Sequence, residues 1–129
     1  MFGRHKKRDK APTMHEEAEE NVRNHGELVA RADELQGRAQ DLVGEERADV
    51  LDERGELLKK AGEDDLAIAA FEESIETSRR MGVAYRGLTT LYNRKRSEAA
   101  ARGDDENMKL YFDKLQDLMQ SSKDMLRGK

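Results

Sequence analysis

The chain has 129 residues, of which 40% are charged and 36% hydrophobic, with a net charge of −4 and no cysteine. This composition suits one small domain and leaves little material for a thick core. It excludes a disulfide framework and thiolate chemistry, and no apolar run approaches the roughly 18 residues of a membrane span. The basic start is not followed by an apolar core, so it does not read as a secretory signal, and the expected location is cytoplasmic.

Residues 1–12 are expected to form a disordered basic arm. Arg4, Lys6, Lys7, Arg8 and Lys10 stand against Asp9 alone, so the net charge conceals a cationic start on an acidic body. Such an arm is a candidate contact for an anionic membrane surface or a nucleic acid. A solubilising tail is the plainer reading. The acidic body argues against a nucleic-acid binder that uses its whole surface.

The rest of the chain, 13–129, reads as one helical domain. Thr13-Met14-His15-Glu16 fits a capping box and predicts a long amphipathic helix over 13–44. Its apolar positions are Ala18, Val22, Leu28, Val29, Ala32, Leu35, Ala39, Leu42 and Val43. They fall within about half the circumference at ~100° per residue. Gly44 is the expected stop. This helix is expected to pack on the hairpin that begins near Ala48, with dimerisation through it as the rival.

From Ala48 to Met81 the periodicity changes twice. Ala48, Leu51, Gly55, Leu58 and Ala61 recur at helical steps, and so do Ala67, Phe71, Ser74 and Ser78, with Ile68 and Ile75 widening the second stripe. Between them, Gly62 can close one helix in the left-handed conformation, and Asp64 or Asp65 can cap the next. So short a link makes the two helices antiparallel. Five helices are predicted in all, near 14–43, 46–61, 64–80, 83–102 and 104–127.

The unit 48–81 resembles a tetratricopeptide repeat (TPR), a hairpin of about 34 residues with a W-x2-L-G-x2-Y start and a later A-x3-F. Leu51, Gly55 and Leu58 take the first large position, the glycine and the aromatic, and Ala67 and Phe71 supply A-x3-F. Arg54 replaces the family's leucine, and no proline closes the unit. Gly55 and Ala67 are where close helices would otherwise collide. A second copy over 82–127 matches through Tyr85, Leu88 and Tyr92, with Thr89 at the glycine. Phe112 lies nine residues after Gly103, as Phe71 lies nine after Gly62. The spacing between the two glycines exceeds the family's by about two helical turns, so the second repeat is elongated. The resemblance implies an all-α chain of antiparallel hairpins stacked as a short TPR-like α-solenoid, with 13–44 packed at its start. Together with MFGRHKKRDK and LQDLMQSSKDMLRGK at the two ends, it resembles small single-domain TPR-like proteins of bacteria.

The last helix carries Met108, Tyr111, Phe112, Leu115, Leu118, Met119, Met125 and Leu126. Such a stripe is read first as core, although methionines also suit an adaptable binding surface.

Evidence for chemistry is thin. His5, His15 and His25 are ten residues apart, not at the i, i+4 spacing that sets two imidazoles side by side. No phosphate loop, nucleophile elbow or zinc-helix motif occurs. The expectation is a noncatalytic protein without cofactor or metal.

In TPR proteins the first helix of each repeat lines a concave groove. The resemblance therefore implies Asp49, Asp52, Glu56 and Lys59 from the first copy, and Arg86, Thr90, Asn93, Arg94 and Ser97 from the second. Arg86, Thr90, Asn93 and Ser97 share one helix face. An arginine with an asparagine one or two turns away can hold a carboxylate and a peptide backbone. Glu53 and Gly87 stand where carboxylate-clamping members carry asparagine, and a third repeat is missing. The expected partner is a protein or peptide. A homodimer, or tethering by the arm, is the alternative.

Overall fold

The computed structural model describes residues 13–127, all of them in helices or short connections. The basic arm, with Arg4, Lys6, Lys7, Arg8 and Lys10, lies outside the described residues. Five helices succeed one another: α1 (Met14–Ala39), α2 (Gly44–Lys60), α3 (Asp64–Thr77), α4 (Val83–Arg102) and α5 (Asp105–Leu126). Each packs on the next, and α2 also meets α4. None is long and apolar enough to cross a membrane.

The two hairpin turns share one construction. The Gly62 N–H donates to the Lys59 carbonyl and the Glu63 N–H to Leu58; Gly103 and Asp104 repeat this on Ala100 and Ala99. This is the Schellman closure, which needs a left-handed residue. Gly62 and Gly103 provide it at φ 81° and 71°. At the start of α1 the capping box forms in both directions between Thr13 and Glu16.

Several boundaries differ from expectation. α1 stops at Ala39, four residues early, because the Ala39 carbonyl accepts from Leu42 N–H and from Arg47 Nη1 of α2. Gly44 therefore does not end α1; it opens α2 at φ 62°. α3 stops at Thr77, where Ser78 turns extended and the chain leaves toward Arg80. Neither Asp64 nor Asp65 caps α3. Glu63 holds the cap position without a side-chain bond, while Asp64 and Asp65 pair with Arg94 and Lys95 of α4.

Phe71 sits at the centre of the core, 0% exposed. Its ring fills the space left by two glycines on facing helices. A Cβ at Gly55 of α2 or at Gly87 of α4 would lie 2.5 Å from it. Gly55 is thus a point of close approach, as expected, and what it makes room for is the Phe71 ring. The glycine of α4 that matters is Gly87; Thr89 is exposed and its hydroxyl donates to the Tyr85 carbonyl. Around Phe71 lie Leu58, Ala67, Leu88, Leu91 and Tyr92. A smaller cluster of Leu35, Ala39, Val50 and Leu51 joins α1 to α2.

α5 is held by a polar link across three helices. The Glu72 carboxylate of α3 accepts from the Tyr92 hydroxyl of α4 (2.5 Å) and from Lys114 Nζ of α5 (3.2 Å). Burial, and then the bond to Glu72, push the Tyr92 phenol well above its usual range, so it stays a proton donor. The Asp104 carboxylate accepts from the backbone and side-chain amides of Asn107. Those bonds, the backbone one first, hold its pKa below the usual carboxylate value.

A depressed carboxylate stabilises the fold fully above its unfolded pKa of about 3.9 and loses that contribution as pH falls through the lower folded value. Asp104→Ala should therefore lower the melting temperature at neutral pH. The gap from the parent should close as the pH drops below the normal carboxylate range. Melting curves of both proteins across that range check this. A gap that is independent of pH would remove the charge from the account.

Candidate functional site

The nine residues expected to line one groove separate in the structure. Asp49 and Asp52 both meet Arg80, whose Nη2 lies 2.6 Å and 3.1 Å from their carboxylates, although Asp49 stays exposed. Asp52 also accepts from the Ser74 hydroxyl. Its side chain is 13% exposed, which makes it part of the packing. Glu56, Lys59 and Arg94 do come together, with Lys60, around a shallow depression between α2 and α4. There Arg94 Nη1 is 2.9 Å from both Asp64 oxygens. Asn93 accepts from Arg96 at 3.4 Å.

Arg86, Thr90 and Ser97 lie elsewhere, along the seam between α4 and α5. Arg86 and Thr90 flank a groove of about 440 Å³ with Met81, Tyr85, Leu118 and Met119. Ser97 flanks a second hollow of about 540 Å³ with Arg96, Ala100, Met108 and Phe112. Steps of three and four along both helices make these two hollows one continuous strip. The Arg96 guanidinium, 6.0 Å from the centre of the Phe112 ring, stands within it.

Three properties set this seam apart. First, it is apolar and open: Phe112 is 44% exposed, whereas Phe71, its counterpart by position after the turn glycine, is fully buried. Phe71 is covered by α4, and no helix among the described residues covers Phe112 in the same way. Second, Tyr85 is 6% exposed and its hydroxyl has no hydrogen-bond partner. Among the described residues nothing bonds this hydroxyl, and a buried hydroxyl without a partner costs free energy in the free protein. Third, the rim is cationic. Arg86 and Arg96 join no ion pair among the described residues, Lys109 is paired with Asp113, and Asp105 is the carboxylate lining the strip.

Sequence reasoning placed Phe112, Leu118 and Met119 in the core. Leu118 is there, at the edge, but Phe112 and Met119 are on the surface. The stripe on α5 is wider than the neighbours available to cover it, and nothing in its spacing says which shoulder is left bare.

The two described histidines pair with nearby acids, His15 with Glu19 at 3.0 Å and His25 with Glu63 at 2.8 Å, and His5 lies outside the described residues. No group of three potential metal ligands converges among the described residues. Comparison with family models, curated proteins and solved structures gives no match.

Proposed function

We propose that this protein is a noncatalytic interaction module, a short TPR-like stack whose open α4–α5 seam takes an amphipathic helix of a protein partner. The observation that carries the reading is the bare apolar seam itself, with Phe112 44% and Met119 53% exposed beside Arg86 and Arg96. The stacking order supports the TPR-like part: α2 and α4 meet side by side, each succeeded by its antiparallel mate, and both turns close alike. In such a stack the place beside α4 and α5 is where a further helix would lie. Apolar side chains at i, i+3, i+4 and i+7 would enter the hollows, and flanking acids would meet Arg86 and Arg96.

The test is fluorescence anisotropy with a labelled acidic helical peptide carrying leucine at those spacings. Saturable binding to the intact chain is expected, with loss on Phe112→Glu. Tyr85→Phe should leave it unchanged, because the hydroxyl is closed off from the groove. The same substitution should leave the melting temperature unchanged or raise it, because the atom removed has no partner in the free protein. Absence of saturable binding to the intact chain overturns the proposal.

A further inference from the structure

The same molecule carries a helix of the kind this seam fits. In α1 every residue from Thr13 to Glu27 is exposed, although the helix is continuous to Ala39. His25 marks where α1 passes the α2–α3 turn, through its bond to Glu63. The eleven residues Met14 to Asn24 therefore extend about 16 Å past the body of the stack at ~1.5 Å per residue. Their apolar stripe continues the one that Ala32, Leu35 and Ala39 bury against α2. Here nothing among the described residues lies opposite it: Met14 is 84% and Val22 72% exposed, with Ala18 between them. A helix with one apolar face and no partner is incomplete.

The flanks of this projection are acidic. Glu16, Glu17, Glu19 and Glu20 stand against Arg23, opposite in sign to the rim of the seam. The lengths also agree, since the strip on α4 from Arg86 to Ala100 spans about 21 Å at the same rise. The projection cannot reach the seam of its own chain. α1 packs on α2 and touches neither α4 nor α5, and a continuous helix does not fold back.

We infer that the projecting half of α1 in one copy docks in the α4–α5 seam of another, so that copies join head to tail. This rests on the proposed role of the seam as a helix-binding groove and names its occupant. Met14, Ala18 and Val22 enter the hollows beside Met119 and Phe112, and the glutamates face Arg86 and Arg96. The surface used on one copy differs from that used on the other, so the contact is heterologous, and the chain of copies grows or closes into a ring. An eleven-residue helix buries less than a standard interface, so association is weak and needs high concentration.

Sedimentation equilibrium of the full chain up to about 1 mM, the weak limit of measurable affinity, tests this with two variants. Met14→Lys/Val22→Lys spoils the projection, and Phe112→Glu/Met119→Glu spoils the seam. All four positions are exposed, and circular dichroism confirms that each variant keeps its helices. Arg86→Glu, a surface charge reversal, is a third, milder seam variant. The intact chain should rise in mass beyond a dimer. Each double variant alone should stay monomeric, and Arg86→Glu should associate more weakly than the parent. An equimolar mixture of the two double variants should form a dimer and nothing larger, because one good projection and one good seam remain per pair. An intact chain that stays monomeric, or double variants that associate as the parent does, overturn the inference. If the intact chain is monomeric but the acidic peptide still binds the seam, this inference alone falls. If the peptide also fails, the reading of the seam falls with it.

Discussion

Phe71→Ala is expected to cost about 3–5 kcal/mol, toward the top of the range for removing a buried aromatic. The reason is the wall around it. A cavity is cheap when neighbouring side chains can lean in, but Gly55 and Gly87 have no side chain to offer, and a Cβ at either would stand 2.5 Å from the ring. The void therefore stays open. Against a typical total of about 5–15 kcal/mol for a domain, this removes roughly a fifth to all of the stability. Urea titration should show a lower midpoint with an unchanged slope. A second substitution tests the cause. Gly87→Ala in the parent gains about 1 kcal/mol of helix propensity but crowds a ring clamped on both sides, at about 1–3 kcal/mol. In the Phe71→Ala background the crowding is gone, and Gly87→Ala should stabilise. The change of sign is the signature of contact. A Gly87→Ala effect of the same sign and size in both backgrounds would mean that the ring is not held between the two helices.

Local features of this chain were legible because they are local. The capping box at Thr13 and Glu16, the two Gly-closed turns and the burial of Ala67 and Phe71 each need only a few neighbouring residues. What failed needed knowledge of a second helix. Thr89 and Gly87 are both small residues at the start of α4, and only the roll of α4 against α3 decides that Gly87 meets Phe71. The stripe on α1 runs unbroken from Met14 to Ala39, yet it stops being core where α2 ends. Phe112 and Phe71 occupy matching positions after their turns, and they differ because, among the described residues, only Phe71 has a later helix to cover it. The candidate site suffered most. Arg86 and Thr90 were singled out, but the groove they line owes its shape to Met81, Leu118 and Met119. The unpaired hydroxyl of Tyr85 leaves no mark on the sequence.

The same limit explains Asp49 and Asp52, which read as groove acids because their partner lies in the connection between α3 and α4. Arg80 bridges both carboxylates from that loop. Its bond to Asp49, chiefly, holds the guanidinium charged even more firmly than usual, with burial opposing it. Ser74, 1% exposed, has one proton to give and donates it to Asp52, the nearer of its two acceptors. Arg80→Ala should cost about 1–3 kcal/mol, because it strands a largely buried carboxylate without its one cationic partner among the described residues. Chemical denaturation measures this directly. Asp52→Asn placed on top of Arg80→Ala should return part of the loss, since asparagine removes the stranded charge and still accepts from Ser74. In the parent background Asp52→Asn should destabilise, because Arg80 then loses one of its two carboxylates. If Asp52→Asn costs the same whether or not Arg80 is present, the arginine is not what allows that carboxylate to be buried, and the loop is held in place by other contacts.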